Sequence, residues 1–178
     1  KKMNIISIIP ARMGSSRFPG KPMKDILGMP MVGHVYKRVK MSEILSEVYV
    51  ATCDKEIFDY IISIGGKAIM TSKNHDRCAD RCAEAMLKIE NETGNKCDIM
   101  VIVQGDEPLT FPQMIQQAVA PMIEDPNILI TNLVANLDTK EEFENPNEIK
   151  VVMDKNKNAL YFSREPIPSR SKTKTDIP

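Results

Sequence analysis

Ile5-Ile6-Ser7-Ile8-Ile9-Pro10, running on into Ala11-Arg12-Met13-Gly14-Ser15-Ser16-Arg17-Phe18-Pro19-Gly20-Lys21-Pro22, is the stretch that decides the fold. Its first half is almost continuously apolar, the pattern of a strand covered on both faces rather than the alternation of a half-exposed one. Its second half breaks into Gly, Ser, Pro and cations and reads as a loop.

Outward from there, strand-length apolar runs alternate with amphipathic segments. Met31, Val32, Val35 and Val39 recur at helical spacing among Lys37, Arg38 and Lys40, so residues 30–41 are predicted helical. Val48 to Thr52 is the next strand; Asp54 caps a helix to about Ser63, Gly65-Gly66 stops it, and Lys67 to Met70 is a short strand. A helix over 79–91, a strand at Asp98–Val103, a helix from Pro112 and a strand at Leu129–Ala135 continue the series. Ile149–Met153 and Ala159–Phe162 are paired β runs about the turn Lys155-Asn156-Lys157-Asn158. This rhythm predicts an α/β fold, a doubly wound, mostly parallel Rossmann-like sheet with its ligand site beyond the carboxyl ends of the strands. The expected organisation is a nucleotide-binding α/β domain over 1–164. An irregular tail over 165–178, rich in Pro, Ser, Thr and basic residues, is expected to lead to a further C-terminal portion.

Composition fits that reading. The 178 residues carry 24 Lys+Arg against 24 Asp+Glu, with 42% hydrophobic and 27% charged residues. That balance is globular and lacks the basic excess that nucleic-acid binding needs. No apolar run approaches a membrane span, and Pro10 and Arg12 end the first one too early for a signal peptide, so a cytoplasmic protein is expected. Cys53, Cys78, Cys82 and Cys97 lack disulfide-framework spacing and are expected as reduced thiols.

The loop after the first strand brings Gly14, Gly20, Ser15, Ser16, Arg12, Arg17 and Lys21 together. Small residues let backbone amides approach phosphate oxygens while the cations offset their charge, which makes it a candidate triphosphate cradle. It is not a Walker A loop: five residues separate Gly14 from Gly20, and Pro22 stands where Ser or Thr would hold magnesium. Neither is it G-x-G-x-x-G, so dinucleotide binding is unsupported.

A single acid follows the central strand in Val103-Gln104-Gly105-Asp106-Glu107-Pro108. Strand alternation carried through Gly105 would point Gln104 and Asp106 to one face, and Pro108 keeps Glu107 extended. Asp106 is then either a magnesium ligand or a turn and capping residue. The neighbouring cations favour the metal, since Mg²⁺ takes one or two carboxylates and completes its shell with phosphate and water.

Four separated motifs then identify a family. The Pro10–Pro22 loop, Val103–Pro108, Asn145-Pro146-Asn147 with Lys150-Val151-Val152, and Ala159-Leu160-Tyr161-Phe162-Ser163-Arg164 resemble, in order, the 3-deoxy-manno-octulosonate (Kdo) cytidylyltransferases, or CMP-Kdo synthetases. The loop alone resembles sugar-nucleotidyltransferases generally, including acylneuraminate cytidylyltransferases. The resemblance implies the nucleotide-diphospho-sugar transferase fold and Mg²⁺-dependent transfer of CMP from CTP to an acidic sugar, with release of pyrophosphate, in lipopolysaccharide biosynthesis. Ala11, Arg12, Gly14, Ser15, Ser16, Arg17, Lys21 and Arg81 would bind nucleotide, and Arg12, Lys21 and Asp106 would carry catalysis. Asp106 would hold the metal, and Gln104 and Arg164 would meet the sugar. It also implies a homodimer. The chain departs from the family at Arg77-Cys78-Ala79, where Ser-Gly-Thr is usual.

Competing readings attach to several residues. His75, Cys78 and Cys82 form an H-x₂-C-x₃-C cluster that suggests zinc, but it lacks finger spacing and a fourth ligand, and two cysteines four apart on a helix are expected to face the core, with Asp76 as the helix N-cap. Arg77, Asp80, Arg81 and Glu84 read equally as a solvated helix face. His34 is expected to pack or cap. The alternative function is a non-catalytic CTP-binding or scaffold domain of the same fold, or a cytidylyltransferase for a different sugar acid.

Overall fold

In the computed structural model, which describes residues 2–14 and 18–169, the apolar run forms β1 (Ile5–Ala11), with all seven residues buried. It lies inside a parallel sheet of order β5-β4-β1-β6, where β4 is Glu47–Thr52, β5 Lys67–Met70 and β6 Ile99–Ile102. Alternate side chains of β1 serve two cores. Ile5 and Ile9 pack with Val32, Val35 and Val39 of α1 (Met31–Lys40), Ile57 and Ile61 of α2 (Lys55–Ser63), and Ile115 and Val119 of α4 (Pro112–Glu124). On the other face, Ile6 and Ile8 meet Cys82, Ala85 and Ile89 of α3 (Cys78–Thr93). Spacings of three and four residues put each apolar stripe on one side of its helix, which is why the sheet is covered on both faces.

Chain order sets the site. The strands step from β1 to β4 to β5, then α3 carries the chain back across the sheet to β6 on the other side of β1. The strand order therefore reverses between β1 and β6, and a crevice opens beyond their carboxyl ends. Between β1 and α1 lie a 3-10 turn (Lys21–Met23) and a small hairpin, β2 (Asp25–Ile26) and β3 (Met29–Pro30). His34 Nε2 sits 2.7 Å from the Ile26 carbonyl and ties α1 to that hairpin.

Several expectations are corrected. The compact units divide at Leu133/Val134 rather than at residue 164, so the paired β runs belong to a second unit. That unit holds α5 (Lys140–Glu144), with a Thr139/Glu142 capping box, and the antiparallel pair β7 (Lys150–Met153) and β8 (Ala159–Ser163). Residues 129–135 form no strand. Leu129 and Ile130 are 79% and 81% exposed, because β-propensity makes a strand only where a neighbouring strand accepts its hydrogen bonds. Cys82 is buried but Cys78 is exposed, so the two thiols do not share the core. The N-cap of α3 is Arg77, one residue beyond Asp76. Asp54 holds the N-cap position of α2, but its carboxylate makes no capping bond there.

Candidate nucleotide site

A cleft of about 330 Å³ lies at the carboxyl ends of β1 and β6, lined among others by Arg12, Lys21, Arg77, Arg81, Gln104 and Asp106. It thus unites the loop and the acid singled out in the sequence, with Ala11 and Gly14 also on its wall. Ser15, Ser16 and Arg17 lie outside the described residues. Arg164 belongs to the second unit, where its Nη1 donates to the Pro146 carbonyl at 3.0 Å. Lys150 there is buried, and its ammonium donates to the carbonyls of Asn145, Glu148 and Arg164, a structural use of the charge.

Local chemistry places each group. Gly20 adopts φ 73°, a left-handed conformation that favours glycine, and its amide donates to the Met13 carbonyl at 2.9 Å, closing the base of the loop. The 3-10 turn that follows, with buried Pro22 in its first turn, delivers Lys21, whose Nζ lies 2.8 Å from Asp106 Oδ2. Asp106 is reached differently from the sequence expectation. Strand β6 ends at Ile102, and a turn closed by the Glu107 amide on the Gln104 carbonyl at 3.1 Å carries Gly105 and Asp106. Asp106 is therefore a turn residue and a cleft residue at once. Gly105 has to be glycine, because a Cβ there would lie 2.6 Å from the Pro10 carbonyl oxygen.

Arg81 is not on a solvated face. It is only 3% exposed; Nη1 donates to Thr71 Oγ1 and to the Ser72 carbonyl, while the buried Nη2 finds no protein acceptor. A guanidinium donor left unmade at a cleft wall is costly unless a ligand supplies the acceptor. Gln104 Nε2 lies 3.3 Å from Cys78 Sγ, so the residue that departs from the family motif stands beside the expected sugar contact. Glu84 fixes the segment leading to α3. It accepts from the Ser72 amide and pairs with Lys88 and His75, and Lys88 above all, then the Ser72 amide, hold its carboxyl down to about 2.

Sequence reasoning passed over His75, Asp76 and Arg77 as cleft residues, and over Asp54, whose Oδ2 accepts the Met13 amide at 2.8 Å. A signal for Asp54 existed: like Asp106, it follows a parallel strand at the sheet's carboxyl edge. Among the described residues no three His, Cys, Asp or Glu side chains gather as a metal site, so the H-x₂-C-x₃-C spacing does not build one.

An open parallel sheet with its cleft at the strand-order reversal defines the class, a doubly wound α/β fold. A family model described as Cytidylyltransferase matches residues 6–177. The 3-deoxy-manno-octulosonate cytidylyltransferase of Syntrophus aciditrophicus is 46% identical over 164 residues, 92% of this chain and 65% of that protein. Its counterpart in Geobacter sulfurreducens is 47% identical over 166 residues, 93% and 64% of the two chains. A solved CMP:2-keto-3-deoxy-manno-octonic acid synthetase, complexed with CTP, superposes with a TM-score of 0.81 at 37% identity, covering 95% of this chain and 67% of its own. The chain belongs to the cytidylyltransferase family, in the group of the 3-deoxy-manno-octulosonate cytidylyltransferases. It spans just under two thirds of the length of the curated relatives it matches.

Proposed function

We propose that the protein transfers CMP from CTP to Kdo, an acidic sugar, releasing pyrophosphate. The observation that carries this is the cleft itself: Arg12, Lys21, Arg77 and Arg81 line it with two carboxylates, Asp76 and Asp106, where the sheet reverses its strand order. Four cations suit a triphosphate and an acidic sugar, and the unpartnered Arg81 Nη2 suits an acceptor on the nucleotide. The relatives' names and the CTP bound in the solved relative support the same substrates.

The residues present fit magnesium. Asp106 is half exposed in the cleft, and one carboxylate suffices for an ion that draws its other ligands from phosphate and water. Asp106 would hold it, where it would polarise the α-phosphate and neutralise charge on the departing pyrophosphate. Lys21, now paired with Asp106, turns to the triphosphate when phosphate oxygens enter, and Arg12 stands beside it. The sugar's anomeric oxygen attacks the α-phosphorus, its proton passing to water, as the bond to the bridging β-phosphate oxygen breaks. Gln104 and Arg164 would orient the sugar. Ser15, Ser16 and Arg17, outside the described residues, are proposed as further phosphate contacts.

No helix among the described residues is long and apolar enough to cross a membrane. The proposal includes a cytoplasmic location, which the four free thiols support, and a homodimer, which sedimentation tests. The deciding experiment incubates the purified protein with CTP, Kdo and MgCl₂ and measures pyrophosphate. Release that depends on Kdo is expected. CTP binding with no release would favour a non-catalytic CTP-binding domain.

A further inference from the structure

We infer that Asp54 is a positioning residue for the phosphate loop, acting on nucleotide through Met13 and Gly20 rather than by touching it; the inference rests on the CTP reading above. An Asp at a helix N-cap ordinarily turns its carboxylate onto the amides of the first turn. Asp54 occupies that position in α2 and makes no such bond. Its Oδ2 instead accepts the Met13 amide at 2.8 Å, across 41 residues of sequence, and lies 3.6 Å from Cys53 Sγ. Its backbone is held from below, since its amide donates to Oγ1 of the fully buried Thr52 at 3.1 Å and its carbonyl accepts the Phe58 amide at 3.1 Å. The carboxylate is thus a fixed post at the end of β4.

What it holds is the base of the loop. Met13 packs against the core, its amide is taken by Asp54, and its carbonyl accepts the Gly20 amide at 2.9 Å. Gly20 opens the 3-10 turn that presents Lys21 to Asp106. Hydrogen bonds from Asp54 to Met13, from Met13 to Gly20 and, across the Gly20–Lys21 peptide bond, from Lys21 to Asp106 therefore form one line spanning the ends of three neighbouring strands, β4, β1 and β6. Charge argues against a passive role. A carboxylate beside a loop that receives a triphosphate repels the ligand, so an Asp with no positional task there would be better replaced by a neutral residue.

That opposition gives the test its sign. Asp54→Ser places a residue favoured at helix N-caps where no side-chain capping bond exists to be lost, so α2 stays folded, but its short side chain leaves the Met13 amide without its acceptor. Asp54→Asn keeps an acceptor of the same reach and removes the charge. The expected result is that Asp54→Ser weakens CTP binding about tenfold and speeds hydrogen exchange of the Met13 amide by a similar factor, with melting little altered. Asp54→Asn should bind CTP as well as the unaltered protein or better. CTP affinity and Met13 exchange both unchanged in Asp54→Ser would overturn the inference, as would an Asp54→Asn variant as weak as Asp54→Ser. Failure of the unaltered protein to bind CTP would overturn the nucleotide reading separately, leaving Met13 exchange to decide whether Asp54 holds the loop.

Discussion

Asp106 carries the sharpest prediction at the scale of single residues. Its carboxylate is 51% exposed, and a half-exposed ion pair contributes about 0–1 kcal/mol, so Asp106→Asn should leave melting nearly unchanged. The same change removes the charge proposed to bind magnesium. Calorimetric titration should show Mg²⁺-dependent strengthening of CTP binding lost, and turnover should vanish; near-normal turnover would reduce Asp106 to a turn residue. Lys21→Ala should likewise spare the fold and weaken CTP binding, by about 1.5–3 kcal/mol for a lost charged contact to phosphate. Both residues were legible in the sequence because each follows a strand whose apolar run could be recognised. Arg81 was not legible as a buried group. Charged residues three and four apart on a helix read as a solvated face, and only the packing of α3 against Thr71 and Ser72 removes Arg81 from water. Asp54 was read as a cap because its link to Met13 spans 41 residues, which no local pattern encodes.

Elements show where that tertiary information enters, and α3 makes it measurable through pH. Glu84 ties the helix to the segment at Ser72 and His75, and its carboxyl is held down to about 2 from the ordinary 4.5. A depressed carboxyl contributes stability that is complete above its unfolded value and is lost as pH falls through its folded one. Glu84→Gln should therefore lower Tm at neutral pH, by about 1 kcal/mol of stability for a partly screened network, and its deficit should close between about pH 4.5 and pH 2. Scanning calorimetry of both proteins across that range checks it, and a deficit independent of pH would contradict the assignment. Strands were legible where a partner strand is present, buried in β1 and β4 and largely exposed in β8, the partner of β7, and misread where none is. The apolar run at 129–135 carries the composition of a strand without a partner to complete its ladder, and composition cannot report the neighbour.

At the scale of the whole molecule, the division at Leu133/Val134 escaped the sequence because no run of Gly, Pro or Ser marks it. The alternation of apolar and amphipathic segments continues across the junction, so 1–164 read as one domain, although the contacts separate there. The separation has a functional corollary. Every described residue lining the cleft, from Pro10 to Asp106, lies in the first unit together with both core clusters around the sheet. Lys150 and Arg164, by contrast, make their described hydrogen bonds inside the second. A polypeptide ending at Leu133 should therefore keep its sheet, which circular dichroism would show, and bind CTP within about threefold of the whole chain. It should release no pyrophosphate with Kdo if Arg164 is needed to orient the sugar. Restoring residues 134–178 with Arg164→Ala should leave CTP affinity intact and raise the KM for Kdo selectively. A truncated chain that folds but has lost CTP would overturn the assignment of the nucleotide site to the first unit.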